Sequence, residues 1–556
     1  MRWRSLVSGR VFVPLVAALI LAAVQGCGGG SSAPVAELQR LLVSPPPDTH
    51  TGSAAQVWEA TRRFYQARQT TLVWSRSRPT RKADEALAVL ASAVDHGLKP
   101  EHYGLSHLRA TRERLRADAD EAEDRLAQLA AFDVRLTNAL LSLGHDVAVG
   151  RRRPQAVSRL WEGRRALPDL AASLHAALHE GLVGWLASVQ PRHRGYAALQ
   201  QRLSGLRARA EAGPWASVPR AMKTGDRGRA VAELRLRLMT GGELPRSAGP
   251  VSLLFDHAVE EAVRSFQDHH GIRATGRVGR LTLAALNVPM AARMQQIALN
   301  LERWRWLPDD LGVRHLRVNI PQFHLEAYES GRRVLALRVI VGRRGAETPV
   351  FSDRMTHVVF SPYWNIPDTI AAEETLPALA DDQEYLERNN IEVVSVSDGR
   401  LEAVDPGTID WTDAALLRGI RFRQRPGKDN ALGRVKFLFP NRHDVYVHDT
   451  PAHALFSRLS RTLSHGCVRV EDPVALAKYL LRDQKRWTRQ TIRKAMNADT
   501  DTHVRLTMPV PVHLTYFTAW VDEQGGLHFR PDVYGHDGRQ GRRMEAAPDL
   551  RRASLE

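Results

Sequence analysis

The hydrophobic period of this chain changes part-way along, and that change limits the folds open to it. Up to about residue 288 apolar residues recur every three or four positions, as one face of an α-helix requires; from about residue 315 they alternate with polar ones, as a half-buried strand requires. Phe132, Leu136, Leu140, Leu141 and Leu143 follow the first spacing, and Leu170, Leu174, Leu178 and Leu182 repeat every four. Leu316-Arg317-Val318-Asn319-Ile320, His324-Leu325-Glu326-Ala327-Tyr328 and Val334 to Val341 follow the second, around a turn at Ser330-Gly331. A 556-residue chain with these patterns in separate blocks predicts a multidomain α+β protein of three or so domains, without internal repeats.

Breaks in the pattern place the boundaries. Glu211-Ala212-Gly213-Pro214 and Val218-Pro219 interrupt the helical period, so residues 54–212 are expected to form a helical domain. Residues 223–288 read as a compact unit: Gly225-Asp226-Arg227-Gly228 opens a helix with Val231, Leu234 and Leu238 on one face, and Phe255-Asp256 precedes a second with Ala262, Val263, Phe266 and Gln267. Gly276-Arg277-Val278-Gly279 and Leu281 to Leu286 complete it, and the whole resembles a small three-helix peptidoglycan-binding domain. A β-rich domain is expected over 315–535, interrupted by a mostly helical insert at 373–413 and ending in a hairpin of Val512 to Val521 with Leu527 to Arg530. Residues 536–556 are polar and expected to be loose.

At the other end, Arg2, Arg4 and Arg10 precede an apolar run from Val11 to Val24. Roughly 14 apolar residues fall short of the ~20 that span a bilayer, so residues 1–26 read as a secretory signal peptide. Val24-Gln25-Gly26-Cys27 resembles a bacterial lipobox, which implies cleavage before Cys27 and lipid attachment to it. Residues 27–53, rich in Gly, Ser and Pro, read as a flexible tether. The expected location is periplasmic, with the lipid in the outer membrane because Gly28 is not the aspartate that commonly retains lipoproteins in the inner one. A net charge of +17 favours polyanions, and export leaves a carboxylate-bearing wall or acidic headgroups rather than nucleic acid.

Only two cysteines occur, so lipidation of Cys27 would leave Cys467 as the one thiol of an exported chain. It lies in Ser464-His465-Gly466-Cys467-Val468-Arg469-Val470, 19 positions after His448. A thiol attacks as thiolate, and at an ordinary pKa of ~8.5 it is a few per cent ionised at neutral pH, so a nucleophilic cysteine needs a base or positive charge beside it. His448 and His465 both offer that. Two adjacent strands, Val445-Tyr446-Val447 into His448 and Val468-Arg469-Val470 out of Cys467, would fold the thiol back towards the imidazole. Gly466 permits a positive φ and close approach of substrate, and the N–H groups around it are candidate oxyanion donors. His443, His448, His453, His465 and Cys467 cluster in sequence, but no Cys-x-x-Cys or His-Glu-x-x-His spacing accompanies them. No metal and no cofactor is expected.

His448 followed by Ser464-His465-Gly466-Cys467-Val468-Arg469 resembles the signature of the L,D-transpeptidases with a YkuD-like catalytic domain. Asn300-Leu301-Glu302-Arg303-Trp304-Arg305-Trp306-Leu307-Pro308, Val318-Asn319-Ile320-Pro321, Pro362-Tyr363-Trp364-Asn365-Ile366-Pro367, Asn430-Ala431-Leu432-Gly433 and Lys436 to Asn441 extend the likeness to the large subgroup, in which a helical scaffold and a peptidoglycan-binding domain precede the capped catalytic domain. Ser361 departs from it, standing where asparagine is expected. The resemblance implies that Cys467 forms a thioester with a peptidoglycan stem peptide, expelling D-alanine, and that an amine of a neighbouring stem then gives a 3-3 crosslink. It implies His448 as the base and His465 as a residue shaping the loop. Arg469 is a candidate for a substrate carboxylate, Tyr446 and Trp364 for the cleft, and Ser464 for the turn. The same cysteine would serve an L,D-carboxypeptidase or endopeptidase, whereas a noncatalytic wall-binding scaffold would need neither Cys467 nor His448.

Overall fold

The protein is described from a computed structural model, which covers residues 33–43, 52–117, 122–163, 165–211, 213–245, 251–382, 384–397, 400–409, 411 and 419–545. The expected signal peptide and Cys27 lie outside the described residues. Among the described residues no helix is long and apolar enough to cross a membrane.

The first domain packs around the long helix Ala122–Val149, whose Phe132, Leu136, Leu140 and Leu143 are buried against Gly52–Gln66, Arg81–Ala91, Leu105–Ala117 and Leu170–Glu180. The expected tether is in part a helix: Ala33–Val43 lies against the same long helix, because Leu38, Leu41 and Leu42 give it an apolar stripe. The second unit consists of Arg229–Gly241, His257–His269 and Arg280–Leu286 around Val231, Leu234, Val263 and Phe266. Asp256 caps its middle helix by accepting from the Val259 N–H at 3.0 Å. Buried Gln267 accepts from the Gly276 N–H at 2.9 Å and donates to Thr282 at 2.9 Å, tying the glycine turn to the last helix.

The helix Met290–Trp304 joins the parts. Glu302 and Arg305, both fully buried, form an ion pair at 2.6 Å that turns towards the first domain: Glu302 accepts from the Arg152 N–H at 2.9 Å, and Arg305 donates to Tyr196 at 3.1 Å and to the His96 carbonyl. Arg303 turns the other way, donating to the Tyr516 carbonyl at 3.0 Å and to Asp537 at 2.6 Å.

The β-rich region contains β1 (Arg314–Asn319), β2 (His324–Glu329), β3 (Arg332–Gly342) and β4 (Phe351–Phe360), then β5 (Trp364–Asn365), β6 (Ile391–Ser397), β7 (Arg400–Val404) and β8 (Ile420–Gln424). It continues with β9 (Val435–Leu438), β10 (Val447–His448), β11 (Thr462–Ser464), β12 (Val468–Val470), β13 (Thr502–Thr515), β14 (Ala519–Val521) and β15 (Leu527–Phe529). One sheet runs β11-β3-β12-β10-β9-β4-β13-β1-β2, and a further β2–β3 pairing closes it into a barrel. Alternating residues such as Val318, Leu325, Val339, Val358, Phe437, Val447, Val468 and Val512 fill its interior.

Three sequence expectations are corrected here. The insert expected to be mostly helical at 373–413 is helical only as far as Tyr385–Arg388; β-branched Ile391, Val393 and Val394 then build a sheet ordered β5-β8-β6-β7. Val512 belongs to the barrel strand β13, and the last hairpin is β14–β15 alone. The segment from 536, expected to be loose, forms the helix His536–Glu545, which lacks a broad apolar stripe because polar contacts hold it: buried Gln540 accepts from Arg303 at 2.9 Å.

Candidate active site

Parallel pairing of β10 with β12 aligns Val447 with Val468 and His448 with Arg469. Val447 and Val468 are buried in the barrel core, so their neighbours Tyr446, His448, Cys467 and Arg469 lie on the opposite face. The antiparallel strand β9 adds Lys436, opposite His448, to that face. Cys467 and His448 stand one strand and two residues apart, ~8 Å between Cα atoms from strand spacing and rise.

The loop before Cys467 is held from several sides. Gly466 has φ +119°, a conformation that L side chains rarely adopt. The Ser464 hydroxyl accepts from the Gly466 N–H at 3.2 Å and donates to the Cys467 carbonyl at 2.6 Å, closing the turn. Thr348 donates to the Gly466 carbonyl at 2.7 Å and accepts from the Gly342 N–H at 2.8 Å. The Gly466 N–H, an expected oxyanion donor, is therefore occupied within the turn, whereas the Cys467 N–H has no hydrogen bond among the described residues.

The partly exposed Cys467 thiol faces the Asp444 carbonyl at 3.9 Å, and no hydrogen bond joins it to the His448 ring. Burial raises the thiol to about 11, against smaller opposing pulls from the Tyr446 N–H and the Arg469 charge. Burial, then the Arg469 charge, lowers His448 to about 3. The resting pair is a neutral thiol beside a neutral imidazole. Nδ1–H of His448 donates to the Asp449 carbonyl at 2.6 Å, which leaves Nε2 with the basic lone pair. Asp449 itself accepts from the Arg434 N–H at 2.9 Å beside Gly433, where an added Cβ would sit 2.4 Å from its carboxyl carbon.

His465 is exposed beside the nucleophile loop, its Nε2 2.7 Å from the Arg343 guanidinium and 2.9 Å from Glu374 of the capping insert. The Arg469 guanidinium makes no hydrogen bond among the described residues, and its buried Nε lacks a partner. Trp364 packs against the capping cluster that holds Phe422 and Ile366, and the carbonyl of the preceding Tyr363 accepts from Lys436 at 3.3 Å. Sequence reasoning missed Thr348 and Glu374, which carry no local motif, and saw Lys436 only as the start of a family-like stretch, with no role at the site. Asp449 was visible only as the residue following His448.

Three family models match the chain. They are described as "Scaffold domain" over residues 59–203, "Putative peptidoglycan binding domain" over 227–286 and "L,D-transpeptidase catalytic domain" over 313–507. A Haemophilus influenzae protein described as "Putative L,D-transpeptidase" is 38% identical over 243 residues, a match spanning 44% of this chain and 48% of that relative, about half of each. Among solved structures, an L,D-transpeptidase from Xylanimonas cellulosilytica is 17% identical, with 53% of this chain and 98% of that one covered at a TM-score of 0.16. One from Stackebrandtia nassauensis is 12% identical, covering 53% and 94% at 0.19. Scores this low leave the assignment resting on the family models and the Haemophilus relative. The barrel with its cysteine loop is the part of the chain that matches the YkuD-type L,D-transpeptidase catalytic domain. The chain as a whole joins a scaffold domain, a peptidoglycan-binding domain and that catalytic domain in this order.

Proposed function

We propose that the protein forms 3-3 crosslinks between peptidoglycan stem peptides through a thioester on Cys467. The observation that carries this reading is the β10–β12 register, which sets Cys467, His448 and Arg469 on one face of the barrel, the thiol partly exposed. Arg469 holds a stem carboxylate with its unengaged guanidinium. With the donor stem seated, a side-chain rotation turns Sγ from the Asp444 carbonyl towards the scissile carbonyl. Nε2 of His448 takes the thiol proton as the C–S bond forms, and the Cys467 N–H faces the developing oxyanion. The C–N bond to D-alanine then breaks, and the imidazolium returns the proton to the leaving amine. The amine of a second stem attacks the thioester, gives its proton to His448, and the thiol is released as the amide forms.

The positive charge of Arg469 favours thiolate and disfavours imidazolium, so its neutralisation by substrate acts on both partners at once. The capping insert lies against the nucleophile loop through Glu374, which favours transfer to an amine over attack by water. Incubation with disaccharide-tetrapeptide followed by mass spectrometry tests the reading: a dimer lacking one D-alanine is expected. Tripeptide alone would make the enzyme a hydrolase, and no product at all would overturn catalysis. Cys467→Ala should abolish product with folding unchanged; full activity in that variant would end the nucleophile assignment.

We further propose that the protein is exported and lipidated at Cys27, with its lipid in the outer membrane. The basic start, short apolar run and lipobox-like sequence support this. Labelled palmitate should enter the wild-type chain and not Cys27→Ala, and fractionation should place it with outer-membrane markers.

A further inference from the structure

The peptidoglycan-binding unit and the terminal hairpin meet at a cluster the catalytic reading does not use. His269 ends the middle helix of that unit, while Asp522 and His528 belong to the β14–β15 hairpin. One ligand atom from each lies within 4.8 Å of the other two, and among the described residues this is the one such group of histidine, cysteine or carboxylate side chains.

Several features converge on this point. Asp522 Oδ1 accepts from the Gln524 N–H at 3.0 Å and the Gly526 N–H at 2.7 Å, which directs Oδ2 to Nε2 of His528 at 2.7 Å. Gly526 leaves the space into which the others point: a Cβ there would lie 2.8 Å from His269 Nε2 and 2.9 Å from Asp522 Oδ2. The His269 ring has no hydrogen-bond partner among the described residues, and stacking on Trp520, at 5.0 Å between centroids, fixes the His528 ring. A cavity of about 790 Å³ lined by Arg202, Glu243, His269, Asp522 and Gly526 gives access and room for a further ligand.

We propose that His269, Asp522 and His528 bind a divalent transition-metal ion, zinc by their ligand chemistry, which fastens the peptidoglycan-binding unit to the catalytic domain. Tetrahedral zinc at ~2.0–2.1 Å from each ligand needs ligand atoms roughly 3.3 Å apart. Asp522 and His528 offer ligand atoms 2.7 Å apart and every pair in the group lies within 4.8 Å, so small side-chain rotations would bring the set to that spacing. Two imidazoles and one carboxylate with an open fourth position match zinc better than calcium or magnesium, which take oxygen. Arg530, which donates to the His269 carbonyl at 2.8 Å, and Arg202, which donates to the Gly525 carbonyl, place positive charge nearby and weaken the site without blocking it.

The test uses untagged full-length protein stripped with chelator. Zinc titration by calorimetry should give one saturable site per chain and a rise in Tm, and cobalt should give the strong visible absorption of tetrahedral coordination. His269→Ala and, separately, Asp522→Asn should weaken binding by more than roughly tenfold. No saturable binding to the wild type, or equal binding to His269→Ala, would overturn the proposal. These readouts do not depend on crosslinking activity.

Discussion

Glu374 lies 2.9 Å from Nε2 of His465, so a carboxylate of the capping insert touches the loop that presents the sulfur. The same nitrogen is 2.7 Å from Arg343. With a proton on Nε2 the ring donates to Glu374; without one it accepts from Arg343. The tautomer of one exposed imidazole thereby decides whether cap or barrel holds the loop.

Glu374→Ala should loosen the cap while leaving the thiol in place. The ratio of tripeptide to crosslinked dimer should rise by roughly three- to tenfold as water gains access to the thioester. Chromatography of the products reads this ratio, and an unchanged value would show that this contact does not govern acceptor choice.

Between about pH 4 and pH 10 both members of the Cys467–His448 pair are expected to remain neutral, because burial lowers one to about 3 and raises the other to about 11. The profile of kcat/KM should therefore lack the inflection near ~6.5 of an ordinary histidine. His448→Asn should lower kcat by about 10²–10⁴. A clear inflection between pH 6 and 7, lost in that variant, would show the imidazole titrating normally.

Thr348→Val removes both hydrogen bonds that link Gly342 to the Gly466 carbonyl. The expected cost in stability is about 1–3 kcal/mol, since two buried backbone groups lose their partner. Activity should fall more than stability predicts, and Thr348→Ser should restore most of it. Equal activity in Thr348→Val would remove this residue from loop positioning.

Arg305→Met would strand the Glu302 carboxylate, which is fully buried. Loss of one member of a buried pair costs about 3–5 kcal/mol, and Glu302→Gln added to Arg305→Met should recover part of it. Urea unfolding checks both, and a cost below about 1 kcal/mol would show the pair contributing little.

Burial also lowers His96 to about 3 and His513 to about 4. The unfolded chain takes up protons near ~6.5 that the folded one refuses, so stability is complete above that value and falls as pH drops towards 4. Tm measured across pH 7 to 4 should decline steadily. A flat curve would contradict the neutral burial of these rings.

What could be read from the sequence was local. Cys467, His448 and the turn residues around them lie within one stretch whose alternation forecasts two strands, and Val447 and Val468 do pair. Glu374 and Thr348 come from distant parts of the chain and reach the loop only through packing, which no short pattern encodes. The helix His536–Glu545 escaped notice because its stability comes from contacts with Arg303 rather than from an apolar stripe. The capping sheet was hidden because helical turns precede it and its β-branched run is short.

Strand β13 passes through the barrel between β4 and β1 and continues eight residues beyond position 507, where the match to the catalytic-domain model stops. An excised fragment ending there would lack buried Val510, Val512 and Leu514, opening a seam along both neighbouring strands. The smallest piece worth expressing alone therefore extends through Glu545, and it should include Met290–Trp304, whose Arg303 anchors that last helix.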